Sequence, residues 1–280
     1  MAGGPVITET RPGPAPRPPH RSGARAAWIA FGSVVAVTTL VYGAVSYMQL
    51  WAFDRSSTRG VFTQDVRSLD VHNGAGSTRI VATDADEIVV EAKVTYGLRK
   101  PTNESWVDGE KLVVQASCHP FLSQWCGVDY TIRVPADVAV HVRGSGGGVR
   151  VEGIDSAIDV SSSGGGVRVD DVGGPLRLRS SGGGITGQRL RSEMVDVSSS
   201  GGGVRLTFAS APSDAVVRSS GGGVTVVVPD TGEPYNIRAS SSGGSVRTSQ
   251  VRHDPSSPSR IDVGSSGGGV TVRYPDDARD

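Results

Sequence analysis

The chain has 280 residues, of which 39 are glycine and 16 proline, while aromatic residues make up only 5%. That scarcity excludes a core built on rings; Val, Ile and Leu with abundant Gly and Ser favour many short strands joined by tight turns, an all-β architecture. Formal net charge is zero, but four arginines against Glu9 in the first 25 residues leave the remainder mildly acidic, without the basic footprint that nucleic acid binding requires.

Residues 1–25 place Pro5, Pro12, Pro14, Pro16, Pro18 and Pro19 among glycines and arginines. Such a stretch buries too little apolar surface to fold, and it reads as a disordered Pro/Arg-rich tail. Pro16-Arg17-Pro18-Pro19 also favours an extended left-handed helix that a partner could recognise. From Ala26 to Phe53 there is no charged residue. About 20 apolar residues cross a bilayer, so 26–50 is predicted to be a transmembrane helix, with Trp28 at one interface and Tyr42, Tyr47 and Trp51 towards the other. A cleaved secretory signal is the competing reading, with Ala44-Val45-Ser46 as a small-x-small site, but the apolar stretch exceeds the usual signal core. Arg55, Arg59 and Arg67 follow the span and weaken the charge bias. The short tail with its four arginines still favours a cytoplasmic amino terminus and an extracytoplasmic body.

Residues 51–65 are expected to be a polar tether and 66–142 a β-rich first part of the ectodomain. Within it, Ser68–Gly74, Ser77–Ala82, Glu87–Tyr96, Lys111–Gln115 and Tyr130–Pro135 read as strands or strand ends. Cys118 and Cys126 are the only cysteines. In an oxidising compartment they are expected to form a disulfide. A metal held by Cys118, His119 and Cys126 is the weaker reading, because these supply three of the usual four ligands.

Residues 143–275 carry an internal repeat, followed by a tail over 276–280. A glycine pair or triplet begins at 146, 164, 182, 201, 221, 243 and 267. A serine precedes each, and Val149, Val167, Ile185, Val204, Val224, Val246 and Val270 lie three residues beyond the first glycine. Alternating stretches flank the glycines, so one copy alone cannot bury its apolar face, whereas stacked copies share a continuous core. The expected fold is a β-solenoid or a stack of β-hairpins. Aligned on the glycines, Asp159, Arg177 and Asp196 fall in one outward column, and Arg150, Arg168, Thr186, Arg205, Thr225, Arg247 and Thr271 in another.

Leu69-Asp70-Val71-His72-Asn73-Gly74-Ala75-Gly76, then Thr131-Ile132-Arg133-Val134-Pro135, then the repeated Ser-Gly-Gly-Gly-Val-Arg-Val resemble the bacterial putative-adhesin β-strand-repeat family of unknown function, related to toastrack envelope proteins. The resemblance covers roughly 66–275 and implies a β-solenoid envelope protein. Its motifs are structural and supply no site residues. The two cysteines and the regular triple glycines depart from its pattern.

Chemistry-bearing motifs are sparse. The glycines are followed by Val-Arg or Val-Thr, without the Lys-Ser or Lys-Thr of a phosphate loop, the helix of a dinucleotide loop, or the fixed aspartate of calcium repeats. No nucleotide, cofactor or metal is therefore expected. His20, His72, His119, His141 and His253 are scattered, and no nucleophile elbow is present. Asp170 and Asp171 beside Arg168 form the one carboxylate pair to weigh as a polysaccharide-cleaving site, against a reading as solvated turn charges. No catalytic residue is assigned. The expected function is a membrane-anchored structural, adhesive or binding module of the cell envelope, with cell-wall polymer or another envelope protein as partner. An accessory or envelope-stress sensor subunit is the alternative, and a carbohydrate-active enzyme the third reading.

Overall fold

The structure, a computed structural model, describes residues 22–51, 54–97, 100–118 and 126–275. Most of the expected amino-terminal tail with His20, the segment 119–125 with His119, and the tail 276–280 lie outside the described residues. The chain divides into two units, 1–51 and 52–280.

In the first unit a single helix, α1, runs from Ser22 to Trp51, starting four residues before the expected span. Its Ala27–Ala44 stretch is long and apolar enough to cross a membrane, covering about 27 Å. A signal sequence meets the same criterion. Trp28, Ile29, Phe31, Val34 and Leu40 are all exposed, so among its described side chains the helix presents apolar groups all round. Thr38 and Thr39 donate their hydroxyls to the carbonyls of Val34 and Val35 at 2.8 Å, which satisfies them within the helix.

Among its described residues the second unit has strands as its only regular elements. β1 (Asp54–Phe62), β2 (Ser68–Asn73), β3 (Thr78–Thr83), β4 (Ile88–Tyr96), β5 (Thr102–Asp108), β6 (Lys111–Ser117) and β7 (Gly127–Pro135) come first. The repeats supply β8 (Ala139–Gly144), β9 (Val149–Glu152), β10 (Ile158–Ser162), β11 (Val167–Asp170), β12 (Leu176–Ser180), β13 (Ile185–Leu190), β14 (Met194–Ser199), β15 (Val204–Phe208), β16 (Asp214–Ser219) and β17 (Val224–Val227). β18 (Asn236–Ser241), β19 (Val246–Arg247), β20 (Arg260–Ser265) and β21 (Val270–Arg273) complete the series.

Each repeat sends the strand before its glycines into a 10-stranded sheet, here sheet B, and the strand after them into an 11-stranded sheet, sheet A. Equivalent strands of adjacent copies pair in parallel and in register, as in Ile158↔Leu176 and Val167↔Ile185. Strands flanking one glycine turn belong to different sheets. The repeats therefore form a two-sheet coil, not stacked hairpins. Alternation places two aliphatic side chains per strand between the sheets, and Ile158, Val160, Val167 and Val169 of one coil are at most 2% exposed. Burial of each contributes about 1.5–3 kcal/mol.

Three features differ from the sequence reading. The expected tether contains β1, which pairs antiparallel with β4 from Asp54↔Tyr96 to Phe62↔Ile88. Its side chains are mostly exposed, so its contribution is to cover the backbone edge that β4 would otherwise present to water. Secondly, the parallel stacking extends into 66–142: β2 and β3 are themselves a coil, pairing in parallel with β8 and β9. β6 and β7 form another on the far side of β2 and β3, and antiparallel β4 and β5 finish that end of the stack. Thirdly, the stack does not follow chain order at its other end. β20 lies between β16 and β18, and β21 between β17 and β19.

The reason for that inversion is in the side chains. Ile261, Val263, Val270 and Val272 give the β20–β21 coil four inward aliphatics, at most 1% exposed. The β18–β19 coil offers only Ile237, Ala239 and Val246, the last 43% exposed. The richer coil takes the position with a neighbour on both sides, and the poorer one serves as the outer cap.

Candidate functional site

The corner of each coil is formed by its glycines. The serine immediately before them is exposed, as at Ser163, Ser181 and Ser200, and takes part through its backbone: Ser181 N donates to Ser162 O at 2.9 Å. The hydroxyl ladder lies one residue earlier, in buried Ser162, Ser180, Ser199, Ser219 and Ser265. The Ser199 hydroxyl accepts from Gly202 N at 3.2 Å and lies 2.8 Å from Gly202 O and 3.2 Å from Gly183 O of the preceding coil, tying one turn to the next. Ser219 repeats this with Gly222 N and Gly202 O. The serine column aligned in the sequence is the exposed one directly before the glycines, and the ladder runs through the serine two residues before them. In the β2–β3 coil Asn73 occupies the same position, and its amide reaches Val128 O at 2.9 Å in the coil beyond.

In the β6–β7 coil Cys118 directly follows β6, and Cys126 directly precedes β7. Their Cα atoms are 5.9 Å apart and the sulfurs are bonded. We propose that this bridge forms in the exported protein, where it ties the end of β6 to the start of β7. Free-thiol titration of the unreduced protein should find none, and Cys118→Ser with Cys126→Ser should lower stability by about 2–3 kcal/mol. Titratable thiol in unreduced protein would contradict it. Nearby, the buried Tyr130 hydroxyl donates to Asn103 Oδ1 at 2.6 Å, joining β7 to β5 across the capped end, and burial pushes its pKa well above the usual phenol value.

The outer face of sheet B carries the column Asp159, Arg177, Asp196 in strict register. Asp196 is 3.4 Å from Arg177 and 3.8 Å from Arg179. Farther along, Asp262 is 2.9 Å from Arg218 and 3.2 Å from Arg260. Partial burial raises the pKa of Asp262, but the two guanidinium groups outweigh it and hold the carboxyl below its ordinary range. Signs alternate here, so like charges are kept apart.

Sheet A differs. Its outward row is Arg79, Arg150, Arg168, Thr186, Arg205, Thr225, Thr271 and Arg247. The sequence alignment lacked Arg79, which β3 adds, so three arginines stand on adjacent strands before the first threonine. Glu152, one position along, accepts from Arg79 at 3.1 Å and also from Arg150. Arg168 and Arg205 have no carboxylate partner among the described residues. Beside the row run the exposed glycines 148, 166, 184, 203 and 223, and an open groove of about 570 Å³ lies over Arg79, Arg150 and Arg168.

The candidate carboxylates Asp170 and Asp171 border one open pocket with Glu152 and Arg189, and each is engaged by an arginine. Asp170 is held by Arg189 at 2.7 Å and Asp171 by Arg191 at 3.1 Å, while Arg191 also reaches Asp155 at 2.8 Å. Asp171 and Arg189 both have positive φ, which turns their side chains out of the strand alternation. Arg168 pairs with neither. His72 lies 3.0 Å from Asp70, and among the described residues no cluster of three or more His, Cys, Asp or Glu could hold a metal.

The fold and its surfaces define an all-β protein with a parallel two-sheet coil, repeating outward ladders and one apolar helix. No family model matches the chain, and no curated protein does. Among solved structures it is similar to a putative cell adhesion protein from Clostridium sporogenes, at 12% identity over 79% of this chain and 100% of that one, with a TM-score of 0.35. A putative adhesin from Parabacteroides merdae is 9% identical over 79% and 96%, with a TM-score of 0.37. A putative adhesin from Bacteroides fragilis is 12% identical over 78% and 97%, with a TM-score of 0.33.

Proposed function

We propose that the chain is a membrane-anchored module of the bacterial cell envelope, with its coil outside the cytoplasm, acting in a structural, adhesive or binding role. The observation that carries this reading is the register of the coils, which sets arginine or threonine at the same outward place on eight successive strands of sheet A. A surface of that kind suits an extended partner gripped at many equivalent points, and suits less well a reaction that needs one distinctive constellation of groups. The apolar helix supports the anchor, and the arginines that precede its apolar stretch support a cytoplasmic amino terminus.

Protease added to intact cells should digest residues beyond 54 and spare an amino-terminal tag. Reaction of that tag in unbroken cells would overturn the topology. The full-length protein in detergent should also sediment with isolated wall material, and its remaining in the supernatant at every salt concentration would overturn the binding role.

A further inference from the structure

We infer that the arginine row of sheet A is a docking face for a linear anionic glycopolymer lying along the axis of the stack, a reading that rests on the extracytoplasmic placement proposed above. Arg79, Arg150 and Arg168 project from three adjacent parallel strands, with about 4.8 Å between strands. That interval is comparable with the spacing of successive sugars in an extended polysaccharide. Like charges directly opposite one another in a sheet oppose its stability. Sheet B resolves the problem by alternating Asp159, Arg177 and Asp196, whereas no carboxylate enters the sheet A row from Arg79 to Arg247. Glu152 is shared by Arg79 and Arg150, and Asp170 is occupied by Arg189. A net positive charge therefore remains uncompensated in the chain itself, centred on Arg168.

The shape of the face points to the same ligand. Gly148, Gly166 and Gly184 are exposed and carry no side chain, so they form a backbone floor beside the arginines, and the groove above them is open. An open trough with equivalent groups at regular intervals fits a chain, not a compact ligand. Guanidinium groups pair in bidentate fashion with carboxylate or phosphate, and the Thr186 hydroxyl is placed to meet sugar hydroxyls. The row from Arg79 to Arg247 has no aromatic side chain on which bases could stack, which separates this face from single-strand nucleic acid grooves. Each contact alone is weak, and several along one polymer add through effective concentration.

The test uses full-length protein in detergent micelles, titrated with polygalacturonate, which bears carboxylates, with phosphomannan, which bears phosphates, and with neutral dextran. At least one acidic polymer should bind, dextran should not, and affinity should fall roughly tenfold for a fourfold rise in salt. Arg150→Gln with Arg168→Gln should reduce affinity at least about tenfold and flatten the salt dependence, while the melting temperature is unchanged or raised, since a like-charge contact is lost. Arg177→Gln with Arg179→Gln on sheet B should leave binding as it was. Binding of polygalacturonate alone assigns the charge to carboxylate, and of phosphomannan alone to phosphate; either supports the proposal. Failure of both acidic polymers, indifference to the sheet A substitutions, or tighter binding of single-stranded DNA would overturn it. Intact-cell proteolysis does not depend on these titrations, so the polymer proposal can fail while the topology stands.

Discussion

Gly202→Ala should unfold the central coils, with a loss of about 3 kcal/mol or more, while Gly127→Ala should be nearly neutral. The difference is steric. A Cβ at Gly202 would sit 2.7 Å from the carbonyl carbon of Gly183 in the coil beneath, and that backbone is fixed by its own strand pairing on either side of the turn. Nothing in the neighbourhood is a flexible side chain that could swing away. At Gly127 an added Cβ meets nothing within 4 Å. Position along the stack should grade the damage. Gly244→Ala creates the same collision, 2.7 Å from Gly269 Cα, but in the outermost coil, which can detach without opening the core. Thermal melts of the three variants should therefore order Gly127→Ala, Gly244→Ala, Gly202→Ala from least to most destabilised. Equal losses at Gly244 and Gly202 would show that the stack melts as one indivisible unit.

The middle glycine of each triplet was legible in the sequence as a turn, and its spacing placed the coils in register. What spacing could not convey is that the constraint comes from the next coil, not from the turn's own backbone angles. The same limit explains the order of the last two coils. Alignment on the glycines assigns Val246 and Val270 to one column but is silent on which lies outermost, because that depends on how well each coil fills a place between two neighbours. Ile261, Val263 and Val272 decide it in the structure. Asn73 illustrates a further gap. It occupies the position of the buried serine of later repeats, but its residue type differs so much that no periodic search would align it. β1 was missed for the opposite reason: Arg55-Ser56-Ser57-Thr58-Arg59 has no apolar alternation, and it becomes a strand because β4 offers it a backbone edge.

For the arginine row, column membership from Arg150 onwards was readable and its charge consequence was not. Threonines interrupt the arginines in the repeat alone, so like-charge contact looks relieved. Only the stacking of β3 on β9 adds Arg79 and makes an unbroken triplet. The sequence thus showed the column from Arg150 onwards, and the fold extends it to Arg79.

Val204→Asp should be the most damaging single change in the chain, abolishing cooperative folding of the coils around β15. Val204 is 3% exposed, with Ile185 and Val224 as its direct neighbours on the adjacent strands and sheet B opposite. A carboxylate there has no cation within the apolar layer, since Arg189 of β13 and Arg205 of β15 are both exposed. It must either remain ionised without a partner or take up a proton, and either course costs several kcal/mol. The isosteric Val204→Thr buries a hydroxyl that can reach a neighbouring carbonyl, and should lose only about 1–3 kcal/mol. Val246→Asp provides the matched control, because the same residue type in the same column is 43% exposed on the cap coil, where the carboxylate stays hydrated. Circular dichroism and limited proteolysis of the three variants should find Val204→Asp unfolded, Val204→Thr folded with a lower melting temperature, and Val246→Asp close to wild type. A Val204→Asp protein that melts like the wild type would mean that this side chain does not face the layer between the sheets.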